Sequence, residues 1–281
     1  MSKETKMKKN KFHFSNGCSF STKKKNKSCH QWLAQHYGLG DMFTINCAKG
    51  GRGNDRIVQT TIQYFLNNPE RMDDTTASIG WSTPYRWDFI LRDKGIGSKV
   101  IRGANQDFDW QYQTFHLHKA DPPEPSRFFL DYGINERGMD LELTHAVKLY
   151  TQILTLQYFF KAHNIPYVMY HALTNDCPID TVDGIERGQL KHLRDAIDKK
   201  HFMNFDSSKS VKEKVKMQLA NRSSPEHRYH HKEEYCQSHF EFVAKHGLGK
   251  APNDAHPNSE GHARWGKLLY EFTKQNGLFP N

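Results

Sequence analysis

The chain has 281 residues, 36% hydrophobic and 12% aromatic, enough for one large domain with an ordinary core. No run of about 18 apolar residues occurs, which argues against a membrane-spanning helix. Five scattered cysteines without a CxxC pair argue against a disulfide framework or a thiolate zinc site. The net charge is +9, but residues 1–27 carry nine lysines against Glu4 and so account for +8 of it. The body is nearly neutral. The basicity belongs to a flexible arm at 1–10 and a lysine loop, which makes nucleic acid an unlikely partner. The first residues lack the apolar stretch of a signal peptide, so the expectation is a cytoplasmic or virion-associated chain.

Taken in order, residues 11–15 read as a first strand. Ser28 and Gln31 then have capping-box spacing for a helix that Gly38 would stop. Residues 42–48 are the next strand, and "KGGRG" is a tight turn. Asn54 or Asp55 can cap a helix whose inner face holds Val58, Ile62 and Phe65. Residues 75–82 form a third strand. Residues 92–138 have no period and read as an irregular insertion. A long helix begins near 140, with Leu143, Val147, Tyr150, Leu154 and Tyr158 as its apolar stripe. Residues 165–173 are an apolar strand of the buried parallel kind, and residues 188–201 read as helical. Residues 202–250 are polar and read as a second insertion. The last helix would turn Ala263, Leu268, Leu269 and Phe272 inward. This alternation predicts a single α/β domain over 11–281 with a parallel sheet. The turns at Gly17–Ser19, Gly50–Asn54 and Trp81–Arg86 would gather at one edge, where such sheets bind ligands.

Serine needs a base and oxyanion donors to act as a nucleophile. Ser19 follows the first strand. His256 lies in "NDAHPNSEGHARW" before the last helix, with Asp254 or Asn253 to hold its ring. Each has a plainer reading: Ser19 as a turn residue, and the His256 loop as a helix cap. Cys18 reads as a small packing residue. Arg86 could meet a carboxylate or phosphate, or pair with Asp88. The His-rich stretch 226–239, with His227, His230, His231, Cys236 and His239, reads as an exposed polar segment rather than a metal site.

Together "NGCSFS", "NCAKGGRGNDRI", "IGWSTPYRWDF" and "DAHPNSEGHARW" resemble the SGNH/GDSL hydrolase superfamily, most closely the SGNH-hydrolase-like proteins of bacteriophages and bacteria. The resemblance implies a flavodoxin-like three-layer α/β/α sandwich and a serine esterase without metal or organic cofactor. Its substrate would be a small ester or acylated carbohydrate. Ser19 matches the nucleophile, His256 the base, and Ser19 and Gly51 supply oxyanion N–H groups, with Gly53 a competitor. The family's acid falls at Asn253, which leaves Asp254, one residue later, as the candidate. Its third-block Asn is replaced, since Gly80-Trp81-Ser82-Thr83 stands there, and Ser82 is the candidate third donor. Asn54, Trp81 and Arg86 are candidate substrate contacts.

Overall fold

The computed structural model describes residues 11–22, 27–91, 111–116, 141–173, 184–205, 238–252 and 254–280. Its nine strands are β1 (Phe12–Gly17), β2 (Thr44–Asn46), β3 (Thr75–Trp81), β4 (Arg86–Leu91), β5 (Gln111–His116), β6 (Tyr167–His171), β7 (Phe202–Met203), β8 (Gly249–Ala251) and β9 (Asp254–Pro257). The helices are α1 (Cys29–His36), α2 (Asn54–Asn67), α3 (Leu141–Ala162), α4 (Gly184–Ala196), α5 (His239–Lys245) and α6 (Ser259–Gln275). Five strands pair in the order β2-β1-β3-β6-β7, every pair parallel. Numbered by position along the chain, that order is 2-1-3-4-5, the flavodoxin-like doubly wound sheet.

The sheet is buried on both faces, as a parallel sheet covered by crossover helices must be. Along β6, Tyr167 and Met169 enter the core beneath α2, α3 and α4, with Phe14, Ile79, Ile153 and Phe160. Val168 and Tyr170 enter the opposite core beneath α1, α5 and α6, with Leu33, Phe242, Trp265 and Leu269. The period-two alternation of one strand therefore supplies both cores of a three-layer α/β/α sandwich. Among the described residues no helix is long and apolar enough to cross a membrane.

The capping box at Ser28 and Gln31 forms as expected, and Gly38 takes the left-handed conformation (φ +76°) just past α1. Several expectations need correction. Gly53, not Asn54 or Asp55, is the N-cap of α2, and no side chain caps it. The α3 stripe is wider and its centre shifted: Tyr150 is buried and Leu143, Val147 and Leu154 pack against the core as expected, but Ala146, Leu149, Ile153, Leu156 and Phe160 form the deeper face and Tyr158 is 62% exposed. This helix is apolar on more than one side, so several stripes fit its period, and packing against α2 and α4 selects one. In α6 the inward residues are His262, Trp265, Gly266, Leu269 and Thr273, while Leu268 faces out. The expected irregular insertion at 92–138 contains β5, which pairs antiparallel with β4. The expected insertion at 202–250 contributes edge strand β7, helix α5 and strand β8.

Gly266 explains why that face of α6 was chosen. A Cβ there would stand 2.6 Å from Trp32 Cβ and 2.7 Å from the Cys29 carbonyl of α1. Two helices can approach this closely only where one lacks a side chain. Gly266→Ala is expected to destabilise the fold by about 2–3 kcal/mol, since backbone must move, despite alanine's better helix propensity. The thermal midpoint should fall by roughly 5–10 °C. An unchanged or raised midpoint would show that the α1–α6 contact yields without cost.

Candidate functional site

Ligands of open α/β sheets bind beyond the carboxyl ends of the strands, where the strand order reverses. Here that point lies between β1 and β3, whose last paired residues are Gly17 and Gly80. The chain leaves β1 through Cys18 and closes a 3-10 turn, Ser19–Ser21, in which Ser21 N–H donates to the Cys18 carbonyl at 2.9 Å. The two serines of that turn have different surroundings. Ser21 is fully buried, and its hydroxyl bonds Tyr170 Oη at 3.1 Å. A Cβ on Gly17 or on Gly80 would come within 2.5 Å of Ser21 Oγ. The glycine of "NGCSFS" thus makes room for Ser21. Ser19 is half-buried, and its hydroxyl makes no hydrogen bond among the described residues. Cys18 is fully buried, and burial raises its thiol pKa, which suits the packing reading.

The loop after β2 lies over the end of β1. Lys49 N–H donates to the Gly17 carbonyl at 3.2 Å, and a Cβ on Gly50 would lie 3.8 Å from Ser19 Cβ. Gly51 is exposed in the left-handed region, with φ +78°. The backbone N–H groups of Ser19 and Gly51 carry no hydrogen bond among the described residues. Gly53, the competitor for that role, is instead wedged under β4, where a Cβ would meet the Arg86 carbonyl and Asp88 Oδ2 at 2.6 Å.

Two candidate substrate contacts have structural partners. Asn54 is buried and clasps the end of β3: its Oδ1 accepts Ser82 N–H at 2.8 Å and its Nδ2 donates to the Ser82 carbonyl at 3.1 Å. This use of the amide explains why it does not cap α2. Trp81 is fully buried in the core under α2 and α3. Ser82 is fully buried too, and its hydroxyl accepts from Arg86 Nη1 at 3.2 Å and lies against the Cys18 thiol. Accepting from Arg86 leaves the Ser82 O–H able to donate, but that group is enclosed with the buried Cys18 thiol. Arg86 is half-buried, and its Nε has no partner among the described residues.

The C-terminal motif comes to the same edge. Strand β9 carries Asp254 and His256, two residues apart and so on one side of the strand. Asp254 Oδ1 accepts His256 N–H at 3.0 Å and bonds His256 Nδ1 at 2.6 Å. These bonds hold the Asp254 carboxyl below its usual pKa. A carboxylate can only accept, so Nδ1 carries the proton and Nε2 is left as the basic nitrogen. The imidazole stacks on Phe20, with ring centroids 5.1 Å apart and planes 27° apart. Phe20 directly follows Ser19. No hydrogen bond joins Ser19 Oγ to His256 among the described residues, and such bonds commonly tighten only around substrate. The cap reading also holds: Asn258 Oδ1 accepts Gly261 N–H at 2.8 Å at the start of α6. Asn253 lies outside the described residues.

The sequence reading missed Phe20, whose only signal was an aromatic directly after the candidate nucleophile. It also missed two buried cations near Arg86. Arg52 is fully buried, with Nη1 donating to Asn16 Oδ1 at 2.9 Å while Nε and Nη2 lack partners, and burial lowers its pKa to about 10. Arg56 is buried with its guanidinium 4.7 Å from the Tyr112 ring centroid. No carboxylate pairs directly with the guanidinium of Arg52, Arg56 or Arg86 among the described residues. Buried Asp88, whose Oδ2 accepts Arg56 N–H at 3.2 Å, offsets part of this positive charge. No family model matches the chain, and no curated protein matches it.

Proposed function

We propose that the chain is a serine-dependent ester hydrolase of SGNH type, acting on a small acyl ester or acylated carbohydrate. The observation that carries this reading is the Asp254–His256 pair, bonded at 2.6 Å and stacked beside Ser19 at the strand-order reversal. Ser19 Oγ attacks the acyl carbonyl while His256 Nε2 takes its proton. Asp254 holds the ring in the required tautomer and stabilises the imidazolium. The N–H groups of Ser19 and Gly51 receive the oxyanion. His256 returns the proton to the leaving alkoxide, and water attacking the acyl-serine completes the turnover.

A second reading is a non-catalytic relative of the fold, serving in viral structure or assembly or in glycan binding. The full burial of Ser82 favours it, because a hydroxyl enclosed with the Cys18 thiol does not serve as the third oxyanion donor. Loss of one such donor costs about 3–4 kcal/mol of transition-state stabilisation in a serine hydrolase. The experiment that separates them is labelling with a serine-directed fluorophosphonate, followed by mapping of the adduct by mass spectrometry. The hydrolase reading expects an adduct on Ser19 that is lost in His256→Ala. Absence of labelling, together with no hydrolysis of short acyl esters, would sink it.

A further inference from the structure

We propose that Cys29, His239 and His262 form a binding site for one divalent, borderline-soft metal ion of the zinc class. Cys29 opens α1, His239 opens α5, and His262 lies in the first turn of α6. Each offers one ligand atom, and the three atoms lie within 4.8 Å of one another. Zinc binds thiolate sulfur at about 2.3 Å and imidazole nitrogen at about 2.0–2.1 Å. Tetrahedral ligand spacing is about 3.4–3.6 Å at these bond lengths, so the three atoms must draw in by at most about 1.4 Å.

His239 is the observation that points to a ligand. It is fully buried, and neither ring nitrogen has a hydrogen-bond partner among the described residues. The Gly261 carbonyl is a polar neighbour whose geometry falls short of a hydrogen bond. A buried imidazole left unpaired is costly, and cores seldom keep one without use. The ring is also held in place. It stacks on Trp265 at 4.9 Å with planes 8° apart, meets Phe20 edge-on at 5.8 Å, and lies 5.6 Å from the His262 ring. Cys29 and His262 are themselves buried. The bond most directly displaced by an ion would be the long one from Cys29 N–H to His262 Nδ1, at 3.3 Å. Tyr170 Oη, 3.2 Å from Cys29 Sγ, is placed to donate to the thiolate, as groups around metal ligands commonly do. Binding exchanges the thiol proton for the ion and releases that proton to solvent.

Such an ion would tie three helices that otherwise meet through ring stacking, apolar packing and, between α1 and α6, the Cys29–His262 and Tyr37–Thr273 hydrogen bonds. Strand β9, with Asp254 and His256, lies in the segment between α5 and α6. The ion would thus fix both ends of the segment that carries the candidate base, in a structural rather than a catalytic role. The inference stands whether or not Ser19 is a nucleophile. It also departs from the expectation that the chain holds no metal: the sequence offered His239 only as the last member of the 226–239 cluster, whose other residues lie outside the described ones.

The test uses the full chain, stripped with a chelator and titrated with Co²⁺ in place of zinc. The expected result is saturation at one equivalent, with thiolate-to-cobalt charge-transfer absorption and the intense visible bands of a tetrahedral ion. Zinc should bleach these bands and raise the thermal midpoint. Cys29→Ser should remove the charge-transfer band, and His239→Gln should weaken binding at least tenfold. A combined His230→Ala, His231→Ala, Cys236→Ser variant should keep the full signal. Because the ligand variants could fail to fold, the wild-type titration alone is decisive in one direction: folded protein without a stoichiometric charge-transfer band overturns the site. Retention of the band in Cys29→Ser, or its loss in the Cys236 combination, assigns the ion elsewhere and also overturns it.

Discussion

Ser19→Ala is expected to lower kcat/KM for a short acyl ester by a factor on the order of 10³ or more, with no change in folding stability beyond about 0.5 kcal/mol. The contrast follows from the local structure. Ser19 Oγ makes no hydrogen bond among the described residues, so removing it leaves nothing buried unsatisfied. Ser21, two residues on, is the control. Its hydroxyl is packed between the ends of β1 and β3 and bonded to Tyr170, so Ser21→Ala should cost about 1–2 kcal/mol and leave the nucleophile in place. Asp254→Asn should lie between them in effect. An amide presented to Nδ1 would donate rather than accept, which favours the tautomer with the proton on Nε2, and the loss can reach about 10⁴-fold in a buried triad. Asp254 is half-exposed, so water can partly substitute and the loss should be smaller. Equal activity of wild type and Ser19→Ala would remove Ser19 from any chemistry and leave the non-catalytic reading.

The parts legible in the sequence were those written locally. The capping box at Ser28–Gln31 is two side chains at a fixed spacing, and the apolar run at 165–173 can only be a buried strand or helix, so both were within reach. The shifted buried faces of α3 and α6 were not, because the buried face of a broadly apolar helix is chosen by its neighbours, as Gly266 against Trp32 shows. The fifth strand, β7, has two residues and no pattern of its own; it forms because Met169 and Tyr170 offer an open edge. At the candidate site, Asp254 and His256 share one side of β9 by sequence spacing alone, which is why that pair could be anticipated. The fate of Ser82 could not, since it depends on Asn54, Cys18 and Arg86 converging from three segments. The Cys29–His239–His262 cluster is hidden for the same reason: its members are separated by 210 and 23 positions, obtained as 239 − 29 and 262 − 239.

Acid should unfold the protein at a pH where exposed carboxylates are still ionised. His13 sits inside β1, with Nδ1 2.8 Å from Thr76 Oγ1 and Nε2 2.7 Å from Ser78 Oγ, and burial pushes its pKa down to about 3. His171 ends β6 between Phe202 and Phe205, and burial pushes its pKa to about 3, opposed by the Phe205 backbone. In the unfolded chain both titrate near 6.5. Between about pH 6.5 and pH 3 these two rings alone let the unfolded state bind two protons that the native state refuses, and buried His30, His239 and His262 act in the same direction. Stability is fully present above pH 6.5 and falls as the pH drops through this window. At pH 5 the cost is about 2 kcal/mol for each ring, or about 4 kcal/mol together, against a typical total of about 5–15 kcal/mol. Urea midpoints measured at pH 7, 6 and 5 should fall accordingly, and His13→Gln should remove about half of the slope contributed by this pair. The surroundings of the two rings make the assignment specific. His13 meets hydroxyls that can bond either protonation state, and His171 meets the Phe205 backbone between aromatic rings. Midpoints that stay flat from pH 7 to pH 5 would mean that both rings accept protons inside the folded sheet, and the burial argument for them would fall.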